Sequence, residues 1–353
     1  MKKVLLGMSG GVDSTVAAYL LKEQGYSVTG AYMQLWRDSN DPQKEKAELE
    51  KVKQAAEFIG IPLQILDLKQ AFFNEIVEEF VKQYQQGLTP NPCVLCNQKF
   101  KFDRIEQATS GSFDYLATGH YAKIIQEQTE FQLWQAADPA KDQSYYLYHL
   151  TQDQLARTLL PLGDYHKDQV RALADQMGFD NQSLSDSQDI CFISVDQTYR
   201  DLLQQFNAIG SPGQFVDPQG NVLGEHLGIG NYTIGQRKNL GMSFGKKVFV
   251  TRIDPLTNQI TVGDTEDLMS DRYLVRNVSW NTLIKPDLPL EVEIANRYQA
   301  KPAKSIIKPS TKRNEKIVEI NTLEPQRAIT PGQTAAFFQG KRCIGGGIIS
   351  EIL

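Results

Sequence analysis

The chain has 353 residues, 41% of them apolar, and a formal net charge of −5, a length that accommodates two or three domains with sizeable cores. No run of eighteen apolar residues occurs, which argues against a transmembrane helix, and four cysteines in this length do not make a disulfide scaffold. The first apolar run begins at Val4 and leaves no room for a signal or transit peptide, so a cytoplasmic location is expected.

Lys2-Lys3-Val4-Leu5-Leu6 reads as a short buried strand, and Val16, Ala17, Leu20 and Leu21 fall on one helical face that Gly25 stops. Between them lies Gly7-Met8-Ser9-Gly10-Gly11-Val12-Asp13-Ser14. A strand, a glycine turn and a helix N-terminus make an anion site, because the first-turn amides have no partner of their own. A Walker loop needs a lysine after its glycines, and none follows; a dinucleotide fingerprint needs a different glycine spacing. Ser9-Gly10-Gly11-Val12-Asp13-Ser14 instead resembles the pyrophosphate loop of the ATP-pyrophosphatase superfamily. The resemblance implies cleavage of ATP between its α and β phosphates, with AMP left on a substrate oxygen. Asp13 would repel a phosphate unless a divalent cation such as Mg²⁺ sits between them.

The following segments alternate strand and helix patterns, as a parallel α/β sheet requires. Strands are expected at Ser27–Trp36, Pro62–Leu68 and Tyr115–Thr118, and helices at Lys44–Phe58, Ala71–Tyr84 and Phe100–Ala108. Thr89–Asn97, with two prolines, reads as an irregular loop. Ligands bind beyond the carboxyl ends of strands in such sheets, so the first loop, Met33 and Gly119-His120 are expected on one edge. Helices and loops from Asp138 to about Gln204 complete this α/β nucleotide domain (1–204). A small, glycine-punctuated, mostly β central domain (205–272) follows. The last region (273–353) shows strand patterns at Val292–Ala295, Lys316–Ile320, Thr334–Phe338 and Gly345–Ile349, suiting a small β-barrel. From Arg272 onward Lys and Arg number 13 against 7 Asp and Glu, leaving 24 against 35 for the rest. A basic terminal region on an acidic body suits a polyanionic partner.

Cys93-x-x-Cys96 has no second pair with which to form a structural zinc site, and its proline-rich loop, in place of a strand-to-helix junction, leaves a thioredoxin-like redox pair open without favouring it. With Cys191 it could serve sulfur chemistry, one thiol carrying a persulfide and the other attacking it. Cys343, in an apolar glycine-rich strand pattern, reads as a buried small hydrophobe. Asp186 and Asp189, flanking Cys191, read as caps of a turn or helix.

S-G-G-V-D-S, N-P-C-V-L-C-N, T-G-H-Y, K-D-Q-S-Y-Y-L, D-S-Q-D-I-C-F-I, Y-T-I-G-Q-R and T-P-G-Q occur in one order along the whole chain. Together they resemble the bacterial tRNA-specific 2-thiouridylase family. That resemblance implies that Gly7, Met8, Ser9, Gly10, Gly11, Val12, Asp13 and Ser14 hold ATP, with Met33 and Gly119 near the adenosine and Asp13 catalytic. The substrate would be the wobble uridine, position 34, of tRNAs for Lys, Glu and Gln, adenylated at its C2 oxygen. Cys191 matches the persulfide carrier, loaded by a sulfur-relay protein fed by a cysteine desulfurase. Cys96 matches the nucleophile that frees the sulfur by forming a transient disulfide with Cys191. Asn91, Pro92 and Cys93 match the segment that meets the target base; Lys141, Asp142, Gln143, His120, Arg297, Tyr298 and Gln333 match tRNA contacts. Cys93 stands where some members have aspartate, so Cys93, Cys96 and Cys191 could alternatively hold an iron–sulfur cluster. Removal of Tyr273–Leu353 is expected to weaken tRNA binding far more than ATP binding. A second function class, a pyrophosphate-loop amide ligase acting on a small molecule, would share the first loop but has no use for Cys96 and Cys191.

Overall fold

The computed structural model describes residues 1–38, 42–108, 112–179, 190–194, 196–310 and 316–353. Asp186 and Asp189, read as caps from the sequence, lie outside the described residues.

The chain begins β1 (Lys3–Gly7), α1 (Val12–Glu23), β2 (Ser27–Gln34), α2 (Pro42–Ile59) and β3 (Leu63–Asp67). A helical run follows, α3 (Lys69–Phe72) and α4 (Glu78–Gln85) joined by the π-wound Phe73–Val77. The Thr89–Asn97 segment departs from the expected irregular loop. Pro92–Cys96 forms a short helix, α5, which continues through the π-wound Asn97–Arg104 into α6 (Ile105–Ala108). Pro92 takes the first helical turn, where the amide that proline lacks would have been unpaired anyway. Then come β4 (Tyr115–Ala117), β5 (Ala122–Glu127), β6 (Glu130–Gln135), α7 (Gln152–Ala156), β7 (Thr158–Leu159), α8 (Lys167–Met177) and α9 (Tyr199–Gln205).

The first sheet is parallel throughout, in the order β3-β2-β1-β4-β7. Strand β1 alternates its side chains between two cores: Val4 and Leu6 join the cluster formed with α1, α2 and α8, and Leu5 faces Ile105. Burial on both faces is the usual condition of a parallel sheet. The order steps from β1 to β2 on one side and to β4 on the other, so the switch point lies between β1 and β4.

A second sheet, β8 (Gly213–Val216), β9 (Val222–His226), β10 (Phe249–Asp254) and β11 (Gln259–Gly263), has the order β10-β11-β8-β9 around Phe215, Val250 and Ile260. The remaining strands are β12 (Met269–Trp280), β13 (Leu290–Ala295), β14 (Ala303–Pro309), β15 (Ile317–Arg327), β16 (Thr334–Gln339) and β17 (Arg342–Ile352). They run β12-β15-β14-β13-β16-β17, and pairing of β12 with β17 closes them into a six-stranded barrel. Closure removes the open edges that an antiparallel sheet otherwise exposes. The barrel sheet also takes in β6 and β5, with Leu133 opposite Cys343. Cys343 is fully buried there.

Candidate active site

The Gly7–Ser14 loop leaves β1 at the carboxyl edge and enters α1. Gly10 has φ +73°, and a Cβ there would lie 3.0 Å from the Val52 backbone, so both conformation and space require glycine. Gly11 occupies the N-cap without a side-chain cap, leaving the first-turn amides of α1 available to an anion. The Ser14 hydroxyl donates to the Gly11 carbonyl at 3.1 Å, and the Ser9 amide reaches the Ser14 hydroxyl at 3.3 Å. Gly119, just beyond β4, packs so closely that a Cβ would lie 3.3 Å from the Ser14 amide nitrogen. The two loops of the switch point therefore touch. Met8 turns inward against Gly30, and Met33 packs between the cluster beneath β1 and the one holding Cys96.

The charge of Asp13 is met by a side chain that the sequence reading did not single out. Lys167, buried at the start of α8, donates to both Asp13 carboxylate oxygens at 2.9 Å. The Tyr121 hydroxyl donates to Asp13 Oδ1 at 2.7 Å. Lys167 thus gives the loop acid a counter-charge from within the protein. Tyr121 is in turn fixed by Gln143, whose side-chain oxygen accepts from the Tyr121 main-chain amide at 3.0 Å while its main-chain amide donates to the Tyr121 carbonyl at 2.7 Å. Gln143, expected to face tRNA, positions the phosphate loop through this chain of contacts.

The thiols lie at the neighbouring elements. Cys93 is partly buried and Cys96 buried on α5, while Cys191 is exposed in the loop anchored by Phe192. Phe192 packs against Phe72 and Phe80, ring centroids 5.8 and 5.4 Å away, in the same core as Cys96. Burial pushes the Cys96 thiol up to about 12 and the Cys93 thiol up to about 11. Cys191 reaches solvent, yet the protein packed around its sulfur also holds that thiol above its ordinary value. All three thiols sense one another, and the Lys101 ammonium draws all three back down. Lys101, on the π-wound turn after α5, was also missed by sequence reasoning; a lone lysine in a helix carries no local signal.

Lys101 Nζ lies 3.3 Å from His120 Nε2, and His120 Nδ1 lies 2.7 Å from the Thr118 hydroxyl. Burial, with Lys101 beside it, holds this imidazole well below its ordinary range, so it is neutral and both nitrogens are occupied. Asp142, also matched to tRNA, uses its carboxylate internally: Oδ1 accepts from the Ala136 amide at 2.9 Å and Oδ2 from the Ser144 hydroxyl at 2.8 Å. Gln333 donates to the carbonyls of Thr89 at 2.9 Å and Pro90 at 3.3 Å, tying the barrel to the Asn91-Pro92-Cys93 segment. Arg297 is exposed, and Tyr298 stacks obliquely on Tyr146, centroids 4.7 Å apart. Burial, with Cys93 close enough to add to it, pushes the pKa of the Tyr146 hydroxyl up. Gln299 reaches the Ala140 carbonyl at 3.3 Å, so the Arg297-Tyr298 turn and the loop carrying Lys141 lie together. Among the described residues no three His, Cys, Asp or Glu side chains converge to hold a metal ion.

A parallel sheet with a glycine phosphate loop at its switch point defines a nucleotide-binding domain of the pyrophosphate-loop class. Family models match in three consecutive segments: a tRNA methyl transferase HUP domain over residues 2–195, a tRNA methyl transferase PRC-barrel domain over 200–264 and an aminomethyltransferase beta-barrel domain over 270–349. The chain belongs to the tRNA-specific 2-thiouridylase MnmA family. It is 44% identical to the tRNA-specific 2-thiouridylase MnmA of Clostridium botulinum strain Alaska E43, covering 100% of this chain and 99% of that one. Identity to the corresponding Clostridium perfringens protein is 43% with the same coverage. A solved U34-tRNA thiolase NcsA from Methanococcus maripaludis, with its [4Fe-4S] cluster, matches 58% of this chain and 65% of its own at 18% identity. Its TM-score is 0.35, which carries no argument about mechanism.

Proposed function

We propose that this enzyme is a tRNA-uridine 2-sulfurtransferase that adenylates the C2 oxygen of uridine 34 in tRNAs for Lys, Glu and Gln and replaces that oxygen with sulfur. The observation that carries the reading is the adjacency of two chemistries: an anion loop with a neutralised acid, and three thiols sharing one lysine on the next elements. MgATP is the nucleotide substrate. The first-turn amides of α1 and the Ser9 and Ser14 hydroxyls hold its phosphates, and the uridine oxygen attacks the α-phosphorus as pyrophosphate leaves. Fixed amides suit the charge that develops there, since they need no reorganisation. Asn91, Pro92 and Cys93 receive the base, which an anticodon loop releases more cheaply than a duplex does.

Sulfur arrives as a persulfide on the exposed Cys191, from a donor protein fed by a cysteine desulfurase. The terminal sulfur forms a bond to C2 and AMP departs with the former C2 oxygen. The Cys96 thiolate then attacks Cys191 Sγ; the persulfide bond breaks, its electron pair stays with the transferred sulfur, and a Cys96–Cys191 disulfide forms. A thiol reductant reopens it. Lys141, Arg297 and Tyr298 meet the tRNA, whereas Asp142, Gln143, His120 and Gln333 act by holding the site together. The reaction belongs in the cytoplasm; among the described residues no helix is long and apolar enough to cross a membrane.

The test is a mass spectrum of nucleosides from unmodified tRNA-Glu incubated anaerobically with protein, MgATP and a sulfur donor. Thiouridine at position 34, lost in Cys96→Ser and in Cys191→Ser, is the expected result. AMP release without RNA would instead favour a small-molecule ligase.

A further inference from the structure

The segment Tyr232-Thr233-Ile234-Gly235-Gln236-Arg237, one of the seven that mark the family, has no part in the site described above. It opens a loop between Ile229–Asn231 and β10 that carries Arg237, Lys238, Lys246 and Lys247 and, from residue 232 to 248, no acid. This stands out on a region whose overall charge is negative. The loop lines a cavity of about 430 Å³ with Arg237, Lys246, Lys247, Met242 and Phe244 among its walls.

The loop is built to hold a shape. Gly235, Asn239, Gly241 and Gly245 all have positive φ, so its turns follow from residues that tolerate that region. Gln236 fastens it from within: its amide nitrogen reaches the carbonyls of Lys238 and Asn239 at 3.1 and 3.3 Å, and its oxygen accepts from the Thr233 amide at 3.1 Å. The buried Tyr232 hydroxyl donates to the Leu240 carbonyl at 3.2 Å. The charges themselves are little compensated. Lys246 lies 3.4 Å from Asp264, both exposed, while among the described residues Arg237, Lys238 and Lys247 form no ion pair. Lys247 sits over the Phe249 ring at 5.2 Å, and Arg327 from the barrel sits over the same ring at 5.0 Å. The cationic surface thus continues from the central region onto the barrel.

We propose that this loop is a second docking surface for the tRNA substrate and binds its phosphodiester backbone away from the anticodon. The inference rests on the tRNA reading above. Exposed, uncompensated cations spaced along a fixed loop suit successive phosphates, whereas a single mononucleotide would engage only one or two of them. Phe244 and Met242 offer apolar contact to a ribose or base at the same place.

Full-length protein and a variant carrying Arg237→Gln, Lys238→Gln, Lys246→Gln and Lys247→Gln are titrated with unmodified tRNA-Glu between about 50 and 200 mM salt. The variant is expected to bind at least about tenfold more weakly, with a salt slope shallower by about three, while its thiolation rate at saturating tRNA is unchanged. A charge-retaining variant, Arg237→Lys with Lys238→Arg, Lys246→Arg and Lys247→Arg, should bind like the parent. Unchanged affinity and slope in the neutral variant overturn the proposal, as does equal loss in the charge-retaining one. Loss of AMP binding with tRNA binding intact also overturns it, by making the cavity a mononucleotide site. If the parent protein itself neither binds nor thiolates tRNA, the functional reading fails first.

Discussion

Among the described residues Lys101 is the one cation that all three thiols feel, and in the proposed reaction the thiolate rather than the thiol performs the attack. With the Cys96 thiol pushed up to about 12, the thiolate fraction rises tenfold per pH unit across the accessible range. Single-turnover sulfur transfer from preloaded Cys191 persulfide to adenylated tRNA should therefore accelerate with pH from 7 to about 9 without a plateau. A plateau near neutrality would mean that bound tRNA lowers the thiol and that Lys101 is secondary. Lys101→Met should slow transfer about tenfold, since an adjacent opposite charge shifts such a group by at least one unit, while adenylation stays intact. Lys167 is the corresponding residue for the first half-reaction. Lys167→Met leaves the Asp13 carboxylate facing the phosphates with only Tyr121 to offset it. AMP formation should fall roughly 10- to 100-fold, the kinetic equivalent of a charge-assisted hydrogen bond worth about 1.5–3 kcal/mol. Asp13→Asn should instead destabilise the fold, because the Lys167 ammonium, 7% exposed, loses the carboxylate that it meets through both oxygens. Thermal melts of both single variants and of the pair decide this: the pair should recover stability without recovering AMP release.

Among elements, the short helix α5 is held from the barrel. Gln333 donates to Thr89 and Pro90 carbonyls, the Thr89 amide donates to the Pro331 carbonyl at 2.9 Å, and Gly332 lies so close that a Cβ would fall 2.8 Å from the Thr89 backbone. Gln333→Ala should loosen the loop that presents Cys93 and Cys96, lowering the thiolation rate severalfold while leaving the tRNA dissociation constant nearly unchanged. The opposite split would restore Gln333 to the role of a direct tRNA contact. This element also marks where the sequence was legible. Strands β1 to β4 and helices α1 and α2 have uninterrupted apolar patterns and glycine stops, and their positions follow from local signals within a residue or two. Two prolines suggested a loop over α5, because a proline reads as a breaker until its place at the first turn is known. The β5–β6 hairpin gave no turn signal: it bends at Gln128, with φ +53°, where asparagine or glycine is usual. Lys101 and Lys167 were illegible for a different reason. Each acquires its role only from residues brought to it by the fold, Lys167 lying 154 positions from Asp13.

At the scale of the molecule, the barrel and the nucleotide-binding region are not separable parts. Strand β17 pairs with β6, and one core contains Val94, Phe102, Leu133 and Tyr145 from the first region with Ala295, Ala336, Phe338 and Cys343 from the barrel. The Tyr145 hydroxyl donates to the Thr334 carbonyl at 3.0 Å across the same boundary. The expectation that removing Tyr273–Leu353 weakens tRNA binding far more than ATP binding therefore needs revision. Truncation would uncover Leu133 and Tyr145, open the β6 edge and release the clamp on Thr89. Exposing several fully buried apolar side chains costs about 1.5–3 kcal/mol each, comparable in sum with the whole stability of a domain. The truncated chain is expected to lose ATP binding and cooperative melting together with tRNA binding. Filter binding of both ligands alongside a melting curve checks this. A shortened protein that melts cooperatively and keeps its ATP affinity would show that the shared core contributes little. The role of the barrel in tRNA recognition is better isolated by Arg297→Gln, an exposed change that leaves this core untouched. It should weaken tRNA binding and reduce its salt slope by about one, with ATP affinity unaltered.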